Sequence, residues 1–281
     1  MPQQNIKTIE ARALIGWMDR DQAVKFLVQD CLFDPPFAED QALEIWEKYR
    51  CAVQRLPPRN ATAPIRIPIT DHHESEGKAE FLRRFKGATN ILDVIKVDPM
   101  KLVVHQLHIV TERSLKHHQA SVQSRNGWIK HSLLGDGSQN PQINIQSGMN
   151  FANAQLPHAE FIFSFGPPNG FQIQQMARHV NVTEFGDRLL LWAGYHRSFA
   201  RMVSIAPDAI DRSLVVALTT DGTFKVSPAS PNQGEREMLT GERPPFFGDF
   251  FNPVFFMSVP LRKKRFELQI RAQIVPIDDP T

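Results

Sequence analysis

The chain has 281 residues, enough for one large domain or two small ones, and 42% of them are apolar, with 20 phenylalanines to fill a core. Its 32 Lys and Arg nearly balance 30 Asp and Glu, which excludes a global field for nucleic acid or an anionic membrane, so either partner would need a local patch. No apolar run reaches the roughly 18 to 20 residues of a membrane span, and the opening MPQQNIKTIEAR lacks a charged segment leading into an apolar one. The expectation is a cytoplasmic protein without a membrane partner, with Cys31 and Cys51 as free thiols.

The first sixty residues read as helical. In DQAVKFLVQDCLF, Ala23, Phe26, Leu27 and Cys31 recur at spacings of three and four, with Asp19 or Asp21 as a cap, which predicts a helix from about residue 20 to 32. Pro35 and Pro36 break it, and Ala42, Leu43, Trp46, Tyr49 and Val53 mark a second helical stripe, completing a helical hairpin. Residues 57 to 70 are proline-rich and extended, and Ser75 to Phe85 predict a third, short helix.

Strand signals take over from there. IKVDPMKLVVHQLHIV is rich in β-branched residues and turns at Asp98 and Pro99, whereas residues 119 to 155 are a polar excursion with one short strand near INI. AEFIFSFGPPNGFQIQ predicts a hairpin through PPNG, and RHVNVTEFGDRLLLWA predicts a second one through Gly186 and Asp187. Its LLLWA arm is apolar at every position and predicts a strand covered on both faces. SFARMV returns to helix, SLVVALTTDG to strand, and RFELQIRAQIV alternates cleanly, with FFMSVPLRKKRF as the antiparallel partner across an RKK tip.

The most informative stretch is LLLWAGYHRSFARM, residues 189 to 202. A buried strand that ends in glycine and turns into a helix gathers backbone N–H donors and the positive end of the helix dipole at one spot. Gly194 lets an anion approach the backbone, Tyr195 and His196 bring further amides, and Arg197 supplies a forked, charged donor in the first turn. His196 can donate a hydrogen bond or carry a proton near neutral pH. The plainer alternative makes the glycine steric, Tyr195 and Phe199 core aromatics, and His196 with Arg197 an exposed polar face.

Strand, then G-x-H-R, then a small-residue helix resembles the signature of the ParB and sulfiredoxin superfamily, in which this turn holds nucleotide phosphates. Gly194, His196, Arg197 and Ala200 stand at the matching places, and VDPMKLVVHQLHIVTERS is similar to the family's opening element, with Pro99, Leu102, Gln106 and Arg113 as counterparts. The resemblance covers roughly residues 94 to 222 and implies a nucleotide (ATP, ADP or CTP) with magnesium at Gly194, Tyr195, His196, Arg197, Gln106 and Arg113. It also implies Glu112 as a general base for phosphoryl transfer, beside His196. Neither cysteine falls near this turn, which sets sulfiredoxin activity aside, and the sequence after residue 222 does not read as a helix-turn-helix.

Other clusters carry less. His105 and His108 would point to opposite faces of a strand, and Asp71, His72, His73, Glu74 and Glu76 fit a helix start without a metal, so no metal site is assigned. Glu184 and Asp187 fit the hairpin turn. The expected fold is α+β: an N-terminal helical hairpin, a central mixed sheet with a ParB/sulfiredoxin-like core, and a C-terminal antiparallel β-hairpin, in segments 1–93, 94–222 and 223–281. The expected function is a nucleotide- or phosphate-binding protein acting as an NTP hydrolase or small-molecule phosphotransferase. The alternatives are a non-catalytic anion- or partner-binding member of the fold, whose added segments offer a homo-oligomer interface, and a nucleic-acid-processing protein with a basic face running to the 262 to 265 tip.

Overall fold

The structure, a computed structural model, describes residues 8–57, 66–112, 114–115, 128–129, 132–133, 142–145, 151–155, 161–166, 170–175, 179–205, 212–220, 233–262 and 268–271. It is α+β, in two compact units: residues 1–135 with 178–263, and residues 136–177 with 264–281. These units cut across the three segments expected from the sequence.

The larger unit opens with β1 (Thr8–Ala13), α1 (Arg20–Lys25) running on into a π-helical turn (Phe26–Asp30), and α2 (Glu39–Gln54). Asp19 caps α1, its carboxylate accepting from the Gln22 amide at 2.7 Å. The chain continues through β2 (Arg66–Ile67), α3 (His72–Arg84), β3 (Ile91–Val97), β4 (Val103–Val104) and β5 (His108–Val110). In the smaller unit, β6 (Gln142–Ile145) and β7 (Phe151–Gln155) pair with each other, and β8 (Phe161–Gly166) pairs with β9 (Gly170–Gln175). Most of the excursion from 119 to 155 and the expected turn residues 167–169 lie outside the described residues. The larger unit resumes with β10 (Asn181–Phe185), β11 (Arg188–Ala193), α4 (Tyr195–Ser204), β12 (Leu214–Thr219), α5 (Gln233–Thr240) and β13 (Met257–Arg262), and β14 (Leu268–Arg271) belongs to the smaller one.

A six-stranded mixed sheet of order β2-β3-β12-β10-β11-β4 forms the centre of the larger unit. Each residue of β12 is buried, and β11 is covered on both faces as its unbroken apolar run implies: Leu189 and Leu191 join the main core with Phe81, Val94 and Phe199, while Leu190 packs with Val103, Leu239 and Phe246. The helical hairpin covers a second, antiparallel sheet of order β13-β1-β5, burying Ala11, Ala13, Phe26, Leu27, Ala42 and Val259.

Two expectations are corrected. Residues 8–13 form a strand although TIEARA is built mostly of good helix formers, because pairing with β13 on one side and β5 on the other overrides local propensity. Among the described residues, the two strands expected to form a C-terminal hairpin each take another partner. β13 pairs with β1 along its whole length, and its opposite edge meets residues 31–32, where the Leu32 amide donates to the Pro260 carbonyl at 2.7 Å. β14 pairs with β7. Alternation in RFELQIRAQIV marks β14, and β13 lies in the segment offered as its partner, but closeness in sequence does not choose the partners.

Among the described residues no helix is long and apolar enough to cross a membrane. The two cysteines are free and differ sharply: Cys51 is exposed, whereas burial, aided by the Asp30 carboxylate, pushes the Cys31 thiol up to about 12. Because the thiolate is the nucleophile, iodoacetamide near neutral pH should label Cys51 in the native chain and Cys31 only after denaturation. Peptide mapping checks this, and equal labelling of both sites in the native state would contradict it.

Candidate functional site

The β10–β11 hairpin turns at Gly186, whose φ is +62°, and β11 delivers the chain to Gly194. There φ is +93°, a left-handed conformation that costs other residues roughly 1–2 kcal/mol. A side chain is barred twice over, since a Cβ at this point would lie 2.7 Å from Val180 Cγ2 and 2.9 Å from Val180 Cα. The glycine therefore has a steric reason to be there. It also starts α4 from backbone alone: the Ser198 amide donates to the Gly194 carbonyl at 2.9 Å, and no side chain caps the helix. The positive end of the α4 dipole thus lies beside a half-buried glycine and a half-buried His196.

Tyr195, the first helical residue, is 3% exposed and serves as an anchor. Its hydroxyl donates to the Leu191 carbonyl at 2.5 Å and accepts from the amides of His105 at 3.1 Å and Gln106 at 3.4 Å. One phenol thus joins the end of β11 to the segment between β4 and β5. The His105 ring stacks on Trp192, with centroids 4.8 Å apart, and its Nε2 lies 3.4 Å from the Trp192 carbonyl.

Below the turn the helix is buried. Arg197 is 5% exposed and Ser198 is fully buried, among Phe199, Ala200 and Met202. The Ser198 hydroxyl has no hydrogen-bond partner among the described residues, whereas Ser204 in the same helix returns its hydroxyl to the Ala200 carbonyl at 2.8 Å in the ordinary way. Phe199 holds the outer end of a second clamp: the Arg12 guanidinium lies 5.2 Å from its ring centroid, 5.9 Å from that of Phe251 and 4.4 Å from that of Phe256, and donates to the Phe250 carbonyl at 2.7 Å. Burial lowers the pKa of Arg12. The clamp fastens β1 to α4 and to the chain after residue 246.

Of the expected site residues, Gly194, Tyr195, His196 and Arg197 form one turn, and Gln106 is brought to it through its backbone. The Gln106 side chain bends back instead, its Nε2 donating to the His108 carbonyl at 2.8 Å. Glu112 is exposed on the helical turn after β5, and Arg113 lies outside the described residues. Asp71 caps α3 through the amides of His73 and Glu74, and Glu184 is ion-paired with Arg66 rather than serving the hairpin turn. Two features of the site were missed at the sequence level. A serine hydroxyl without a partner among the described residues and an arginine boxed by three phenylalanines both arise from contacts hundreds of residues apart or inside one helix turn, where spacing carries no signal.

Tyr195→Phe keeps the ring and removes the hydroxyl, leaving the His105 and Gln106 amides without their acceptor. The expected cost is about 1–3 kcal/mol in denaturant unfolding, with faster hydrogen exchange at those two amides. Unchanged exchange there would show that the anchor does not hold the segment.

No known protein family, curated protein or solved structure matches this chain.

Proposed function

We propose that the turn from Gly194 to Ser198 binds the phosphate of a nucleotide or of another phosphorylated small molecule. The observation that carries this reading is the joint presence, in one helix turn, of an uncapped left-handed glycine, an arginine buried beneath it and a buried serine hydroxyl that makes no bond within the described protein. Backbone amides at a helix start favour negative charge, and a guanidinium adds a directional, charge-assisted donor. Entry is from the side of Gly194 and His196, the half-buried members of the turn. The resemblance of GYHRSFA to the ParB and sulfiredoxin phosphate box supports the same assignment, with ATP, ADP or CTP and magnesium as the ligands it implies. On this reading His196, the second residue of α4, is the proton-handling group, and a hydrolase or phosphotransferase activity would recruit Glu112 as base.

A second reading makes the turn a structural joint in a non-catalytic protein. It draws on Gly194, which the contact with Val180 accounts for, and on Tyr195, whose hydroxyl is fully used in anchoring.

Calorimetric titration of ATP, ADP and CTP with magnesium separates the two. Phosphate binding predicts saturable heat with at least one nucleotide and a loss of about 10- to 100-fold in affinity for Arg197→Lys, the scale of one charged hydrogen bond of about 1.5–3 kcal/mol. Ser198→Ala should weaken binding while leaving the unfolding free energy unchanged or slightly raised, because the deleted hydroxyl satisfies no group among the described residues. Heat indistinguishable from dilution for all three nucleotides would leave only the structural joint.

A further inference from the structure

The central sheet has one edge that is only partly closed. At the β4 end, Val103 bridges to Phe246 and the Val104 amide donates to the Pro245 carbonyl, so that edge is covered. At the other end β3 pairs with β12 from Ile91 to Val97, but β2 covers only Lys96 and Val97. The next residue of β2 in register would be Pro68, which has no N–H to continue the ladder. Among the described residues no strand covers Ile91 to Ile95 on that side, and a cleft of about 560 Å³ opens there between Ile67 and Ile69, Leu82 of α3, and β3. Leu92 is 55% exposed beside it. An open edge of this kind is a template for another strand.

Lys78 occupies the gap. Glu74 of α3 pairs with Lys96 at 3.1 Å, both side chains buried, so alternation along β3 places Asp93 on the face of the sheet opposite Lys96. Lys78 nevertheless starts from α3 and reaches both the Asp93 carboxylate at 2.7 Å and the Val94 carbonyl at 3.0 Å. Its stem must therefore pass round the edge of β3, laying a solvated charge across a backbone acceptor that an incoming strand would need.

We propose that Lys78 and Asp93 together guard this edge against a second copy of the same chain. Among the described residues no strand pairs with the outer edge of Ile91–Ile95, and in an antiparallel pairing of this edge with itself about Asp93, Ile91 would oppose Ile95, an apolar pair that strengthens a sheet, while Leu92, where β3 shifts register against β12, would oppose Val94. In that register Asp93 falls directly opposite the other copy's Asp93, a like-charge contact that weakens pairing. Lys78 blocks the carbonyl and the carboxylate rejects the twofold register, so each defends against the same event by a different route.

Sedimentation velocity of the full chain across a concentration series tests the guard, with Lys78→Met, Asp93→Thr, the double variant, and Leu92→Lys placed in both the parent and the double variant. Both sites are partly exposed, at 32% and 44% for the side chains, and circular dichroism verifies that each variant keeps its fold. The double variant is expected to dimerise at least about tenfold more tightly than the parent chain, with the single variants between them and Leu92→Lys reversing the gain. A natively folded double variant that sediments like the parent at every concentration would overturn the proposal. So would a parent chain whose self-association is itself abolished by Leu92→Lys, since the edge would then be unguarded.

Discussion

The larger unit turns on the contact between Gly194 and Val180. Val180 is fully buried and is wedged between two elements, its amide donating to the Ser132 carbonyl and its carbonyl accepting from the Ala217 amide of β12. Against this fixed point the chain leaving β11 must reverse into α4 with no room for a Cβ and with φ at +93°. Only glycine satisfies both conditions at once. Everything downstream inherits its direction from that residue: the entry of Tyr195 into the core, the burial of Arg197 and Ser198, and the position of Phe199 opposite Arg12.

Two polar clamps then stop the turn from shifting. Tyr195 binds inward, tying β11 to the residues before β5, and Arg12 binds across, tying the second sheet to α4 through Phe199 and to the chain after residue 246 through Phe251 and Phe256. A partly desolvated cation over aromatic rings is worth up to about 2 kcal/mol, comparable with the anchor of the tyrosine hydroxyl. A site held on both sides in this way is preorganised, so binding an anion would not require much of its affinity to be spent on ordering the backbone.

The turn was legible in the sequence because its causes are local: an unbroken apolar run means a doubly covered strand, and a glycine where the run stops means a backbone reversal. The Gly186 hairpin, the Asp19 cap, the breaks around α2 and the strand of residues 214–219 were legible for the same reason. What was not legible depends on distant partners. β1 looks helical in isolation and is a strand because β13 and β5 flank it, and β13 was assigned to its neighbour in sequence although it pairs some 250 positions away. The resemblance to a phosphate box supplied Gln106 as a ligand, yet its amide group is spent on the His108 carbonyl while its backbone serves Tyr195. Tyr195 itself was legible as a residue of the turn, but its work as an anchor became visible only once residues 105 and 106 were seen at its hydroxyl.

The central claim, that the first turn of α4 holds a phosphate, is tested most directly by a crystal structure of the chain grown with a nucleotide and magnesium. Phosphate density is expected within hydrogen-bond distance of the backbone amides that follow Gly194, with the Ser198 hydroxyl or the Arg197 guanidinium contributing a donor. A turn without ligand density at saturating nucleotide, or a nucleotide bound elsewhere on the molecule, would contradict it.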